Sequence, residues 1–189
     1  MNAVLHRVAH LIFKDYRINW IYAADAGYRT PHVHGDTPHP VDGELQRLLA
    51  LSTTPKMANS LTYTRAGLEG FAIVREGLPL CVAHFARKEQ YGRSATWPLG
   101  SNEVALMDIV TEGAARGQGL APKLIAATTR HYLDAGFDRL IAFIWWRNSP
   151  SLRAFTAAGW YRAGLSIELQ FARRWRCYRI RLRRHNCTQ

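Results

Sequence analysis

The chain has 189 residues, 48% of them hydrophobic and 11% aromatic, which excludes an intrinsically disordered protein and is enough for a sizeable core without covalent staples. Cys81, Cys177 and Cys187 are far apart and form no Cys-x-x-Cys pair, which excludes a disulfide framework and a zinc knuckle. The formal net charge of +11 is carried by arginine, since only Lys14, Lys56, Lys88 and Lys123 are lysines among the 25 basic residues, and such a surface favours anionic ligands.

In chain order, Val4, Val8, Leu11 and Ile12 predict a short amphipathic first helix. Residues 1–13 are interrupted by His6, Arg7 and His10 and do not read as a signal peptide. No apolar run approaches the roughly 20 residues needed to cross a bilayer, so no membrane span and a reduced cytoplasmic setting are expected. Residues 16–23 alternate loosely, as a first strand would. Residues 27–40 are rich in His, Pro and Gly and read as a long loop. Its His32, His34 and His39 have only Asp36 as an acidic neighbour, so no metal is expected. Residues 41–51 predict a helix with Leu45, Leu48 and Leu49 inward. Residues 70–85 read as two strands joined at Glu76-Gly77, and residues 88–102 as a second loop.

The most informative stretch is residues 104–125. A strand-like apolar run ends near Thr111 and a Gly/Ala loop follows. Leu120, Leu124, Ile125, Thr128 and Tyr132 then recur near one face of a helix. The junction is Arg116-Gly117-Gln118-Gly119. Bare amides there meet the positive end of the helix dipole, which suits a phosphate. A dinucleotide fingerprint would need a glycine where Pro122 stands, and no Walker loop is present. The helix stops near Ala135-Gly136, and residues 140–146 read as a strand buried on both faces. Asn148 follows. Ser149 as cap, Pro150 in the first turn and Gly159 as stop then define a shorter helix before Trp160.

This order resembles the GNAT acyltransferase superfamily. Its pyrophosphate loop, Gln/Arg-x-x-Gly-x-Gly/Ala, falls on Ala114 to Gly119, with alanine in the first position. Its later signature of strand, Asn, short helix and Gly-aromatic ends at Gly159-Trp160. The likeness runs from about Glu103 to Trp160. It implies an α+β fold, a mixed and mainly antiparallel sheet flanked by helices, as one domain over residues 1–189 with a cofactor-binding core at about 103–160. It also implies acyl-CoA, most simply acetyl-CoA, as co-substrate, lying where two strands splay. Backbone groups of Ile109, Val110 and Thr111 would meet the pantetheine arm. The amides of Arg116, Gly117, Gln118, Gly119, Leu120 and Ala121 would hold the pyrophosphate, and Asn148 would lie near the thioester. The implied reaction is attack by an amine of a small molecule or amino sugar on the thioester carbonyl, with a fixed N–H stabilising the oxyanion.

Two protons must be handled. An alkyl ammonium of pKa about 10 has to be deprotonated before attack, usually by a carboxylate or a water chain. Glu103, Asp108 and Glu112 are the candidates. Glu103 stands where some members of the family carry a glutamate base. Asp108 interrupts an apolar run, a costly place for an acid unless it is paired or faces a cleft. The plainer reading makes Glu103 and Glu112 solvated loop-end charges and gives Asp108 an arginine partner. The family's thiolate-protonating tyrosine position is here Phe155, leaving Tyr161, Ser151, Tyr178 or water for that role. A thiol of pKa about 8.5 also leaves tolerably as thiolate.

Residues 163–171 and 176–182 predict two last strands. Arg173, Arg174, Arg176, Arg179, Arg181, Arg183 and Arg184 crowd this end, and Tyr178, Ile180 and Leu182 alternate with three of them. The cationic face reads first as a solvated outer edge, with CoA phosphates, an acidic sugar nucleotide or RNA as alternative ligands. Two further readings stay open: a tRNA-directed acyltransferase or RNA-binding protein, and a module that binds acyl-CoA without turnover. The oligomeric state is open, a homodimer being one option, and so is the acceptor, which the loops at 27–40 and 88–102 are expected to select.

Overall fold

The computed structural model describes residues 15–29, 31, 36–91, 97–171 and 174–181. Its strands are β1 (Asp15–Asp25), β2 (Pro38–Pro40), β3 (Glu69–Arg75), β4 (Leu78–Ala86), β5 (Glu103–Thr111), β6 (Arg139–Trp145), β7 (Tyr161–Phe171) and β8 (Arg174–Arg181). The helices are α1 (Gly43–Ala50), α2 (Pro55–Arg65), α3 (Lys88–Tyr91), α4 (Leu120–Asp134) and α5 (Ser149–Ala157), with a 3-10 turn at Gly113–Ala115. All eight strands form one sheet in the order β2-β3-β4-β5-β6-β1-β7-β8. Only β5 and β6 run parallel, so the sheet is mixed and mainly antiparallel, as expected from the sequence.

Strand alternation divides the core between the two faces of the sheet. On one face Tyr22, Phe71, Cys81, Phe85 and Leu106 pack with Leu120, Leu124 and Ile125 of α4 and Phe155 of α5. On the other, Ala72, Val82 and Val110 lie under Leu45 and Leu49 of α1 and Met57 and Leu61 of α2. Ile21 and Ile141, which alternate with Tyr22 and Leu140, are covered by Trp97 and Leu99. The sheet is therefore a middle layer with α4 and α5 on one side and α1 and α2 on the other.

Local chemistry accounts for most element ends. Asp42 caps α1, its carboxylate accepting from the amides of Glu44 at 3.1 Å and Leu45 at 2.9 Å. Arg75 pairs with Leu78 across the two-residue turn Glu76-Gly77, where φ is 51° and 75°, the primed geometry that matches strand twist.

Several elements differ from the sequence expectation. Residues 38–40, within the first expected loop, add an edge strand to β3, and the second loop begins with the short helix α3. Helix α2 carries no clear apolar stripe in sequence. Thr54 and Pro55 start it, and it buries Met57, Ser60 and Leu61 because the sheet face beneath needs cover. Asn148, not Ser149, caps α5, its Oδ1 accepting from the Ser151 amide at 3.3 Å. The expected first helix, His32, His34, Arg173 and everything beyond Arg181, Leu182, Arg183 and Arg184 among it, lie outside the described residues. On β8, Tyr178 and Ile180 are about half exposed, 53% and 49%, so their alternation marks an open edge strand rather than a core-facing one. Among the described residues no helix is long and apolar enough to cross a membrane.

Candidate active site

Strand β5 changes partners along its length. Glu103 to Leu106 pair with Arg139 to Ala142 of β6, and Ala105 and Leu106 also pair with Ala86 and Phe85 of β4. Past Leu106 the β6 pairing ends, while β4 stays paired with Asp108 to Thr111. Strand β6 meanwhile follows β1 as far as Trp145. A wedge therefore opens between β5 and β6. At its apex Phe85 pairs with Leu106 and His84 with Asp108, which leaves Met107 as the extra residue of a β-bulge.

Alternation decides which peptide groups line the wedge. The Glu112 amide donates to Leu80 O on the β4 side at 2.8 Å, and Arg116 Nε donates to Thr111 O at 3.4 Å. Ile109 and Thr111 thus turn their peptide groups to the open edge. Val110 turns its own to β4 and buries its side chain beneath α1 and α2. Of the three residues expected along a pantetheine arm, the register gives Val110 the opposite direction.

The open edge leads into the glycine loop. Gly117 and Gly119 have φ of 82° and 71°, the left-handed region, where a side chain costs about 1–2 kcal/mol. A Cβ at either would meet no protein atom within 4 Å, so the space over the loop is free for a ligand. Gly119 precedes α4 without any side-chain cap. The amides of Leu120 and Ala121 then have no partner within the helix, while Pro122 has no N–H to offer. Beside the loop, Arg75 donates to Gln118 Oε1 at 3.1 Å and in bidentate fashion to Asp36 at 2.9 and 2.8 Å. Lys123 donates to the same carboxylate at 3.3 Å. The Arg75 hydrogen bond foremost, with Lys123, holds Asp36 down at about 2. No spacing in the sequence links positions 36, 75, 118 and 123; only the fold brings them together.

No protein-family model matches the chain, and no curated protein matches it significantly. Solved structures do. An acetyltransferase from the GNAT family of Colwellia psychrerythraea superposes with a TM-score of 0.62 at 15% identity, covering 89% of this chain and 62% of that one. A GCN5-related N-acetyltransferase from Sphaerobacter thermophilus gives 0.55 at 10% identity, over 95% and 56%. An aminoglycoside acetyltransferase in complex with coenzyme A and kanamycin gives 0.52 at 15% identity, over 79% and 95%. The chain has the GNAT fold. It spans less than two thirds of the length of the first two structures.

Within the GNAT fold the candidate acids occupy different ground. Glu103 lies three residues before the end of the β6 pairing, roughly 10 Å from the apex at about 3.3 Å per residue. Its carboxylate pairs with Arg139 and accepts from the Gly100 amide at 2.8 Å. Glu112, at the mouth of the wedge, accepts from Ser52 Oγ at 2.6 Å, from Thr54 Oγ1 and from the Gly113 amide at 2.8 Å. These hydrogen bonds, that of Ser52 first, lower its pKa. Asp108 stands just past the apex. Burial pushes its carboxyl up, opposed by the Ile109 N–H and by Lys56. Because Ile109 turns its amide to the open edge, that hydrogen bond sets the Asp108 carboxylate beside the wedge.

The other expected residues are distributed as follows. Tyr161 pairs with Ala23, which pairs with Ile141, so it sits at the closed end of the sheet and donates to Asp25 at 2.6 Å. Tyr178 is separated from the wedge by β1 and β7. Phe155 is 2% exposed, packed edge-on to Trp160 at 5.0 Å. A hydroxyl at that position would enter a packed core. Asn148 follows β6 by a turn, its Oδ1 occupied by the α5 cap. Sequence reasoning missed His84 on β4, which lies opposite Asp108, and Tyr63, Thr64 and Lys56 on α2, which cover the pair. A single histidine within an apolar strand and a largely polar helix give no periodic signal to find them by.

Proposed function

We propose that the protein is an acyl-CoA-dependent N-acyltransferase, with acetyl-CoA the simplest donor and a small amine or amino sugar the acceptor. The observation that carries this reading is the continuity of the wedge with the glycine loop. Past Leu106 the outer edge of β5 at Ile109 and Thr111 has no strand partner, and it runs into the glycine loop and the uncapped amides at the start of α4. A linear ligand with a thioester at one end, amides along its arm and a diphosphate at the other end meets matching groups in that order. Arg116, Gly117, Gln118, Gly119, Leu120 and Ala121 would supply the phosphate contacts, and Asn148 would face the arm from the β6 side.

Asp108 is the residue we assign as base, because it lies beside the apex and burial raises its pKa, whereas Glu103 and Glu112 are engaged in ion-pair and capping contacts. The ammonium of the acceptor gives its proton to the Asp108 carboxylate. The freed lone pair then attacks the thioester carbonyl carbon, the C–S bond breaks and CoA departs as thiolate. With Phe155 in the core, the second proton of the acylated nitrogen passes through water to the thiolate, leaving the amide and the CoA thiol.

Calorimetry with acetyl-CoA, run beside a thiol-release screen over amines, tests the reading. Binding at micromolar ligand with turnover of at least one amine is expected. Absence of CoA binding overturns it. Binding without turnover on any amine instead favours a module that retains the cofactor alone.

A further inference from the structure

On the α1/α2 face, Gly70, His84 and Asp108 stand side by side across β3, β4 and β5, in register. His84 is fully buried. Its ring is stacked on Tyr63 of α2, with centroids 5.6 Å apart, and its Nε2 lies 2.9 Å from Thr64 Oγ1. The orientation of the imidazole follows from its neighbour on β3. A Cβ on Gly70 would come within 3.2 Å of His84 Cδ2, so that edge of the ring faces Gly70, and any larger residue there would displace it. Cδ2 and Nδ1 lie on opposite edges of an imidazole. Nδ1 therefore lies on the ring edge away from Gly70, the side on which β5 runs, and it has no hydrogen-bond partner among the described residues, the Asp108 carboxylate included. A buried ring nitrogen without a partner is unusual enough to need a cause.

We propose that His84 is a positioning residue for Asp108: Thr64 donates to Nε2, which fixes the Nδ1–H tautomer and aims that N–H dipole at the carboxylate that takes the acceptor's proton. The proposal rests on the assignment of Asp108 as base. Burial holds the imidazole neutral, at about 4, so it acts as a dipole and not as a cation. A donor aimed at a carboxylate from a low-dielectric neighbour favours the charged form. It limits how far burial raises Asp108, and so keeps the base ionised where amine acylation proceeds. The other titratable groups bearing on this cluster are Lys56 and Tyr63 from α2 and Cys81 from β4, with the Cys81 thiol pushed up to about 12 by burial.

The test reads the pair without any reaction. In 15N-labelled protein, imidazole nitrogen shifts are expected to show Nδ1 protonated and Nε2 bare. A 13C titration of the Asp108 carboxyl is expected to move upward by about one pH unit in His84→Gln, a tenfold change in its proton affinity. In Thr64→Val, which keeps the ring, the shift has the same sign and is smaller. The acidic limb of kcat/KM should rise by the same interval while CoA affinity stays unchanged. An Nε2–H tautomer in the wild type, or an unmoved Asp108 midpoint in folded His84→Gln, overturns the proposal. If His84→Gln does not fold, an unmoved midpoint in Thr64→Val does so. If the carboxyl midpoint shifts but no amine is ever acylated, the pair stands and the acyltransferase reading fails.

Discussion

The first four residues of β5 and its last five share one strand but not one environment. From Glu103 to Leu106 the strand pairs with β6, and from Ala105 with β4 as well, while the acid at its start is spent on Arg139 and the Gly100 amide. Beyond the Met107 bulge the strand keeps only β4 as neighbour, and the acid there is raised in pKa beside an open edge. Residue type does not separate the two halves, since each is apolar with one acid. Pairing does. Where both edges are satisfied the strand is framework, and where one edge is free it has groups left for a ligand.

That contrast can be attacked directly. The largest effect is expected from Asp108→Asn, a drop in kcat of roughly 10²–10⁴-fold with CoA affinity kept, in line with loss of a general base. Its stability should move the other way. The folded pKa is raised, so the burial penalty is absent below about 3.8 and grows as pH rises through the folded value. Near neutral pH, thermal melts should therefore find Asp108→Asn at least as stable as the wild type. A destabilised variant with undiminished kcat would place this half of β5 in the framework too.

Next in size is Gly117→Val with Gly119→Val. The added branches occupy the open space over the loop and force two left-handed residues, and calorimetry should find CoA affinity lower by more than about 100-fold. Glu103→Gln probes the paired half. It should cost about 1–2 kcal/mol in denaturant melts, by leaving Arg139 without its partner, and change kcat by less than threefold. A collapse of kcat with intact stability would move the base to Glu103 and erase the distinction between the halves. The smallest effect is expected from Glu112→Gln. Its folded pKa is lowered, so wild-type stability from this group is present above about 4.5 and lost as pH falls through the lower folded value. The variant should be less stable at neutral pH by about 1 kcal/mol and show a shallower acid loss.

Much of this architecture was legible in the residues. The β3–β4 hairpin, α4, β6 and α5 follow from turn dipeptides, caps and apolar periodicity, and the glycine loop from two glycines that only left-handed backbone explains. Helix α2 was hidden because its inner face carries Ser60 as well as Met57 and Leu61, so no stripe stands out. The short strand β2 was hidden because two of its three residues are prolines, and it exists only as an edge against β3.

The sequence alone determined the local grammar: the order of elements from β5 to α5, the phosphate-suited loop, and a family likeness resting on the Arg116–Gly119 and Asn148–Trp160 segments. These are short-range properties, written in neighbours along the chain. The tertiary structure alone decided which acids are framework and which is free, which peptide groups of β5 face the wedge, and that Asp36, Arg75, Gln118 and Lys123 meet beside the loop. It also set His84 between Gly70 and Asp108. A carboxylate's chemistry depends on burial and on partners from distant segments, and neither is encoded within its own few residues.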